Sequence, residues 1–383
     1  MVFIASAAFY LIKPALALKL RDELHATALE VTALTSAFMA ARALAAPLAG
    51  FAGDRTPGVR GKIARLALLP ISVIALAYAF APEAILAVLL SALHGFFSGI
   101  LWPTLQVIVG FSAPEKKRGS YLGTYFTLGA LGSSTGYALY GLLPLSSTQL
   151  ILTGFVLYAL SAVVAVLLFS SRTLSEYSPQ SGGGTCLSSL PPLAIWIMGI
   201  SFVTGGAMGL MNEYLYIFLR EVQGMSRSEL GYALTLATLL ASLSGILSGL
   251  LADRFGIRRV LALTLLLLSG GLLSLAASTS TPAVVLSLAL VLVAVKAALP
   301  LTRSIAVAGT SSRAGSVVGL SNTLSSAGAV VFPLAAGYVY DTFEVLAGLD
   351  ARAAPLIFCS AAVFLLAALS PLAGRRKYSA NPP

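Results

Sequence analysis

The stretch GLLADRFGIRR, residues 249–259, ends one apolar run of the chain, and a shorter copy, GFAGDR, residues 50–55, ends another. Asp253 and Asp54 hold the same place in the two copies and are 199 positions apart. In both copies a glycine and then an arginine follow this motif, as FGIR after Arg254 and as TPGVR after Arg55. The copy after GFAGDR thus has one extra residue before its glycine. A repeat at this distance within 383 residues indicates two similar halves.

The composition places these halves in a membrane. Residues of the AVILMFWYC set make up 58% of the chain and charged residues 10%, against roughly 25% charged in a soluble domain. Twelve membrane-crossing helices of about 20 residues each would use about 240 positions and leave room for short connections only. Apolar runs of suitable length fall at 2–20, 30–53, 63–81, 84–110, 119–143 and 148–169, and again at 192–218, 228–252, 258–278, 282–309, 315–340 and 353–373.

This pattern predicts an all-α membrane protein with twelve transmembrane helices in two pseudo-symmetric bundles. The N-terminal six-helix bundle spans 1–169, and the C-terminal bundle with a short cytoplasmic tail spans 192–383. The segment 170–191 between them is rich in serine and contains the triplet Gly182-Gly183-Gly184, a composition typical of a flexible linker. We expect this linker to be cytoplasmic.

The basic residues predict the orientation of the helices. If the N-terminus is cytoplasmic, the cytoplasmic connections between helices hold most of the lysines and arginines. The outer connections then hold Lys19, Arg21, Arg220, Arg227 and Arg352. We therefore expect a multi-pass protein of the cell membrane with both termini cytoplasmic. This bias accounts for most of the net charge of +10, so nucleic-acid binding is not expected.

Catalytic and metal chemistry find little support in the sequence. Cys186 and Cys359 are far apart, and His25 and His94 are the two histidines, so neither a disulfide nor a metal cluster is predicted. No glycine-rich run continues into the Lys-Ser or Lys-Thr of a phosphate-binding loop, and no catalytic triad or carboxylate pair shares the interior. The chain is predicted not to be an enzyme and to need no cofactor.

A second repeat supports the first. The fifth apolar run carries Gly123, Gly132, Gly136 and Gly141, and the eleventh carries Gly319, Gly328, Pro333 and Gly337, with three pairs offset by 196. Small residues at such spacing predict close approach between helices of opposite halves. Pro103 and Pro300, offset by 197, predict kinks in the fourth and tenth helices.

The paired G-x-x-x-D-R-x-G-x-R pattern resembles the signature of the major facilitator superfamily, and the glycine repeat resembles the fifth-helix motif of its antiporters. The resemblance implies two six-helix bundles around a cavity that opens to either side in turn, lined by helices 1, 4, 7 and 10. It also assigns gating contacts to the signature residues, which are Asp54, Arg55, Arg60, Asp253, Arg254 and Arg258. We add Arg42 of the second helix to this group as an interface residue with a structural hydrogen-bond role, and substrate contact is the alternative.

Charges at bilayer depth are costly and are therefore functional candidates. Five stand out: Lys13, Arg42, Glu213, Lys296 and Arg303. Because Lys296 and Arg303 are seven residues apart, both should project from one face of the tenth helix, about 10 Å apart, as substrate-binding residues. A buried structural pair is the alternative for Lys296, and snorkelling to lipid headgroups is the alternative for Arg303. Three of the four cations lie on cavity helices, which favours an anionic substrate.

Lys13 and Glu213 occupy nearly matching positions of the two halves, so we expect them to meet on the outer side as a substrate-binding cation and a proton-coupling acid. A static ion pair is the alternative. His94 is a second candidate for proton relay, or else a hydrogen-bonded packing residue. Other polar and aromatic residues predicted to line the path are Tyr10, Trp102, Gln106, Asn212 and Tyr216.

Together these features predict a secondary active transporter of a small organic solute, anionic and coupled to protons, that works by alternating access as a monomer. One alternative is a multidrug/proton antiporter for amphipathic compounds. The arginine that such exporters carry in helix 4 is absent, because the corresponding stretch reads Ser91-Ala92-Leu93-His94-Gly95. A non-transporting receptor is a third alternative.

Overall fold

A computed structural model describes residues 1–55, 58–114, 117–168, 192–309, 314–343, 345–346 and 349–369. Within these ranges the chain forms twelve helical passes, as predicted. In chain order they are α1 (Val2–Leu18), α2 (Ala28–Arg55), α3 (Val59–Leu66 and Leu68–Ala79), α4 (Ala84–Ser112), α5 (Arg118–Leu142), α6 (Ser147–Leu168), α7 (Pro192–Leu210 and Glu213–Ile217), α8 (Arg227–Ala241 and Ser244–Phe255), α9 (Ile257–Ala277), α10 (Thr281–Gly309), α11 (Ala314–Thr342) and α12 (Ala354–Ala368). The predicted linker 170–191 and the C-terminal tail lie outside the described residues.

Nine of the described passes are long and apolar enough to cross a bilayer on length and composition alone. The other three are α5, α8 and α12. The first of them is rich in glycine, serine and threonine, the second is interrupted between Ala241 and Ser244, and the third has 15 residues. Polar composition thus accounts for α5, whereas the interruption accounts for α8 and the length for α12.

The packing within each half repeats. In the first half α1 packs on α5, α2 on α4, and α3 on α6; in the second half α7 packs on α11, α8 on α10, and α9 on α12. A five-residue π-turn follows both α1 and α7, at Lys19–Glu23 and Phe218–Val222, with their first residues 199 positions apart. The sequence repeat thus corresponds to a structural repeat.

The two halves meet mainly through two helix pairs, α2 with α11 and α5 with α8. Their contacts lie toward the end of the bundle that holds the two π-turns, which we call the closed end. The hydroxyl of Ser36 donates to the carbonyl of Val330 at 2.8 Å, and that of Ser134 donates to the carbonyl of Thr235 at 3.2 Å. The opposite end, which holds Gly256 between α8 and α9, we call the open end.

The glycine repeat contributes to these contacts only in part. An added Cβ at Gly337 would collide with Thr32 and Leu29 of α2, and one at Gly141 would lie 3.0 Å from Cα of Gly231 of α8. These two glycines do bring opposite halves together.

The prediction was wrong for the glycines in the middle of the two helices. Those of α5 pack against α1, and that of α11 packs against α7, so they allow close packing within one half: Gly132, Gly136 and Gly328. Toward the open end, an added Cβ at Gly123 or Gly319 would meet no atom within 4 Å. The helix pairs therefore separate in that direction.

A short hairpin connects α11 to α12 at the closed end. Strand β1, Val345–Leu346, pairs antiparallel with β2, Leu349–Asp350. The guanidinium of Arg352 holds the carboxylate of Asp350 at 2.9 Å, and this hydrogen bond keeps the pKa of Asp350 below its usual value. In α12, Cys359 is buried and free, whereas Cys186 lies outside the described residues.

Candidate transport site

A buried ion pair joins the two halves. The Nζ atom of Lys13, on α1, lies 3.3 Å from Oε1 of Glu213, on α7, and donates a hydrogen bond of 2.8 Å to Oδ1 of Asn212. Lys13 is 6% exposed and Glu213 is 3% exposed. The predicted approach of these two residues is confirmed, while their roles in transport stay predictions.

An interruption of α7 positions the acid. The helix breaks after Leu210, and Asn212 adopts a non-helical backbone conformation before the next turn begins at Glu213. The side-chain nitrogen Nδ2 of Asn212 donates to the carbonyls of Met208 and Gly209, at 2.7 and 3.3 Å, and thereby holds the side chain against the end of the first segment. Because its nitrogen is engaged in this way, Asn212 presents its oxygen to Lys13.

The two partners of this pair differ in their other contacts. The ammonium of Lys13 also lies over the rings of Phe9 and Phe38, at 5.1 and 5.8 Å from their centroids, and both rings belong to the same half as Lys13. The second carboxylate oxygen of Glu213, Oε2, has no hydrogen-bond partner among the described residues. Lys13 therefore has support within its own half, and Glu213 relies on the other half.

His94 lies beside this pair, inside the first half. Its Nε2 is 3.2 Å from the hydroxyl of Tyr158, and its ring packs edge-on against Phe9 and Phe38. It is 3% exposed. These contacts match the alternative of a hydrogen-bonded packing residue, and a part in proton relay stays a prediction.

Tyrosines continue the contact between the halves. The hydroxyls of Tyr137, on α5, and Tyr216, on α7, are 2.9 Å apart, and the ring of Tyr10 packs on that of Tyr137 with centroids 5.1 Å apart. Tyr216 is fully buried, whereas Tyr10 is partly exposed. Among the residues predicted to line the path, Tyr10 borders open space and Tyr216 belongs to the sealed interface.

The α10 cations lie on one stripe of that helix. Lys296, Pro300 and Arg303 fall within about 60° around its axis and are all exposed. Ala289 continues the same stripe toward the closed end and is 4% exposed. The exposed fraction of this stripe therefore increases from Ala289 toward the open end.

These two cations differ in their partners. The guanidinium of Arg303 donates to Oδ1 of Asn322 on α11 at 2.9 Å. Lys296 forms no hydrogen bond or ion pair within the described part of the chain. The sequence did not single out Asn322, which a search for polar residues on α11 would have found.

Arg42 lies on α2, in the first half of the chain. Its side chain is partly exposed, and its charge interacts with Tyr10 on α1 and Tyr125 on α5. Trp102 and Gln106 of α4 are partly exposed as well, and Gln106 lies within reach of the Tyr125 hydroxyl. Both predicted lining residues of α4 are thus accessible in part.

A second ion pair joins the π-turns at the closed end. The guanidinium of Arg21 binds both carboxylate oxygens of Glu221, at 2.5 and 3.2 Å, and the hydroxyl of Tyr340 donates to Glu221 at 2.8 Å. Burial by itself raises the pKa of Glu221, but the hydrogen bonds from Arg21 and Tyr340 outweigh it and hold the pKa below its usual value. Sequence reasoning missed this pair.

Two further closed-end contacts use the main chain of a helix end. The carboxylate of Asp341, at the end of α11, accepts hydrogen bonds from the amides of Ala28 and Leu29, at 2.9 and 2.7 Å. Arg227, at the start of α8, donates to carbonyls at the end of α5, those of Tyr140, Leu143 and Leu145. Each side chain has the charge that the helix end attracts.

The signature residues lie at the open end. Asp253 and Arg254 are exposed, and Arg60 and Arg258 are partly exposed. The side chains of Asp54 and Arg55 are outside the described part of the structure. The gating role of the six residues stays a prediction.

Comparison with known proteins agrees with this architecture. A family model described as Major Facilitator Superfamily matches residues 1–227 and 197–382. The chain belongs to this superfamily. It is thus a multi-pass membrane protein of a transporter fold. A search of curated proteins finds no match.

Solved transporters of this superfamily share the fold at low sequence identity. A mutant of the nucleoside transporter NupG has a TM-score of 0.78 and 15% identity, covering 98% of each chain. A bacterial homologue of the human lysosomal transporter Spinster, inward-facing and occupied, has a TM-score of 0.76 and 17% identity, covering 99% of this chain and 97% of its own. The human organic anion transporter MFSD10 (TETRAN) has 0.65 and 20%, covering 96% of each.

Proposed function

We propose that this chain is a secondary active transporter that carries a small organic anion by alternating access and couples the movement to protons. The observation that carries the proposal is the exposed stripe of α10. Lys296 and Arg303 are exposed on this stripe, which we infer borders the cavity, and neither has a carboxylate partner among the described residues. A cavity lined in this way attracts anions and repels cations.

The electrostatic cost of these cations supports a role in binding. A charge at bilayer depth costs about 2.5 to 3.5 kcal/mol or more, and leucine at position 296 would avoid that cost. An anionic substrate offsets part of it by supplying the missing counter-charge, which acts more strongly in a partly desolvated cavity than in water. The lysine is therefore best explained by a ligand.

The contacts of Glu213 support proton coupling. When the closed end opens, Lys13 keeps the aromatic faces of Phe9 and Phe38, but Glu213 loses its ion-pair partner across the interface. A buried carboxylate without a cation is more stable as the neutral acid. Opening of the closed end would thus favour uptake of a proton by Glu213.

The orientation follows from the distribution of basic residues. The positive-inside bias favours a cytoplasmic position for the open end and for both termini, in a protein of the plasma membrane. The likeness to the inward-facing Spinster homologue supports the same choice. The state described is then inward-facing, and we expect it to act as a monomer.

The substrate class rests on the cavity rather than on the neighbours. The solved relatives named above include nucleoside and organic anion transporters, and their identity to this chain is 20% or less. MFSD10 is compatible with an anionic substrate. Export of amphipathic cations is disfavoured by Lys296 and Arg303.

Uptake into proteoliposomes tests the proposal. Radiolabelled carboxylates, phosphate esters, nucleosides and lipophilic cations are offered with and without an inward proton gradient. We expect anions to be taken up and Lys296→Gln to reduce uptake about tenfold or more, as loss of one charge-assisted contact implies. Arg352→Gln, which removes a cation outside the cavity, is the matched control. Uptake of cations alone, or equal rates in Lys296→Gln and Arg352→Gln, would contradict the proposal.

A further inference from the structure

Asn212 is buried at the contact between the two halves. It is 9% exposed, and the two residues that meet beside it, Lys13 and Glu213, are buried more deeply. A polar side chain at such a depth must find its hydrogen-bond partners within the protein. The contacts of Asn212 with other residues, rather than a solute in the cavity, therefore explain its presence.

The side-chain amide of Asn212 is held in one orientation. Its Nδ2 donates to the carbonyls of Met208 and Gly209, and its Oδ1 accepts from Nζ of Lys13 at 2.8 Å. Rotating the amide by half a turn would place its oxygen against two carbonyls and its NH₂ group against the ammonium, so that both sets of contacts would become repulsive. Asn212 thus offers Lys13 an acceptor whose position is fixed by its own helix.

Lys13 divides its ammonium between a neutral acceptor and a charged one. Its shorter contact is with Asn212, whereas Oε1 of Glu213 lies at 3.3 Å, beyond the range of about 2.7 to 2.9 Å for a direct bond from an ammonium to a carboxylate. The amide therefore occupies the close position that the carboxylate would otherwise take. Because an amide does not titrate, Lys13 keeps this contact when Glu213 is protonated.

No other group in the described part of the chain replaces these partners. The charges of six further titratable residues act on Glu213 or Lys13 from the surrounding helices: Tyr10, Arg42, Tyr78, His94, Tyr137 and Tyr216. Tyr214 of α7 and Tyr340 of α11 bind elsewhere, to the carbonyl of Arg352 and the carboxylate of Glu221. Among the described residues, Lys13 is the one cation in contact with Glu213, whose Oε2 has no partner.

We propose that Asn212 is a positioning residue for proton coupling: it shares the ammonium of Lys13 with Glu213, and this sharing sets the pH at which Glu213 takes up its proton while Lys13 stays bound across the interface. The proposal rests on the proposed function and deepens it. Asn212 then acts on Glu213 through Lys13 and does not bind substrate, as the sequence had predicted. It also explains why an amide stands at this position, because an aspartate would compete with Glu213 for the same ammonium and the same proton.

Infrared difference spectroscopy of the purified full chain in lipid measures this proton. The carbonyl stretching band of a protonated carboxyl group is followed over a pH series, and the part that disappears in Glu213→Gln is assigned to Glu213. The parent chain is compared with Asn212→Ala, which removes the shared acceptor, and with Asn212→Asp, which makes it charged. Tyr137→Phe is the matched control, because it removes the hydrogen bond to Tyr216 across the same interface and leaves the contacts of Lys13 intact.

In Asn212→Ala, Lys13 is left with Glu213 as its oxygen acceptor, so the ionised carboxylate is favoured. We expect half-protonation to move about one pH unit toward acid, as the redistribution of one charge-assisted hydrogen bond implies. In Asn212→Asp, two carboxylates share one ammonium and titrate as a coupled pair, so the first proton should be taken up about one pH unit or more above the parent's midpoint. Tyr137→Phe should keep the parent's midpoint.

Equal midpoints in the parent and in the two Asn212 variants would overturn the proposal. A shift in Tyr137→Phe as large as that in Asn212→Ala would overturn it too, because the strength of the interface would then set the midpoint. If Asn212→Ala does not fold, Asn212→Asp decides alone, since it keeps the size of the side chain. These results leave the proposed function standing as long as proteoliposomes take up anions in response to a proton gradient. A parent chain without a band that depends on Glu213 overturns the proposal together with proton coupling at this residue.

Discussion

Replacing Glu213 by glutamine removes the ion pair between the halves and nearly preserves the shape of the side chain. At 3.3 Å and an effective dielectric of 20, the Coulomb attraction between Lys13 and Glu213 is about 5 kcal/mol. Most of this is offset by the cost of desolvating both charges. Lys13 also keeps its hydrogen bond to Asn212, which crosses the same interface.

The net loss should then be about 1 to 3 kcal/mol of preference for the closed end, or about 5- to 150-fold in the equilibrium between states. Ser134 offers a way to measure it, because it is 3% exposed at the interface of α5 and α8. In a Ser134→Cys chain without other cysteines, a membrane-impermeant thiol reagent should label position 134 faster when Glu213→Gln is present, by the same factor.

The pH dependence distinguishes a proton-coupling acid from a static pair. If Glu213 takes up a proton on opening, acid conditions should raise the labelling rate, corrected for the thiolate fraction of the cysteine at position 134, more in the parent chain than in Glu213→Gln. Asn212→Ala is the matched control, since it weakens the same interface but retains the acid, and its labelling should still respond to pH. An unchanged labelling rate in Glu213→Gln, or a pH response equal to the parent's, would refute the reasoning.

Two further predictions concern the closed end. Because the folded-state pKa of Glu221 is lowered, its bond to Arg21 stabilises closure above the usual pKa of a glutamate and is lost as pH falls through the lowered value. Glu221→Gln should abolish this part of the acid-induced labelling, which corresponds to at most about 1 kcal/mol. An equal acid response in the parent chain and in Glu221→Gln would contradict this prediction. Gly337→Ala should favour opening and faster labelling of the cysteine at position 134, because its Cβ would collide with α2. In Gly319→Ala the added Cβ meets open space, so that cysteine should be labelled at the parent's rate. Equal labelling rates in the two variants would show that α2 and α11 do not close at Gly337.

The fold could be predicted because it depends on local signals. Twelve apolar runs and two copies of one motif predict twelve helices in two similar halves, and these features were confirmed, whereas the predicted linker lies outside the described residues. The approach of Lys13 to Glu213 was predictable as well, since the sequence offset reflects the structural repeat of α1 and α7. The internal repeat thus predicts a contact between two residues that are far apart in the sequence.

Other features of the site depend on geometry that the sequence does not encode locally. The aromatic support of Lys13 comes from Phe9 on its own helix and from Phe38 on α2, and nothing in the sequence distance between residues 13 and 38 indicates that contact. Likewise, the contact of Gly132 with α1 rather than with the opposite half depends on which face of α5 is turned inward. Hydropathy does not determine helix rotation.

The closed-end contacts of Asp341 and Arg227 constrain which changes the sequence can accept during evolution. Each side chain recognises the terminus of a helix through its amides or carbonyls, so the residues that form the receiving site can change identity without removing it. What must be maintained is where α2 begins and where α5 ends. An insertion of one residue before Ala28 would disturb this closure more than most substitutions within the same turn, because the contact responds to helix length.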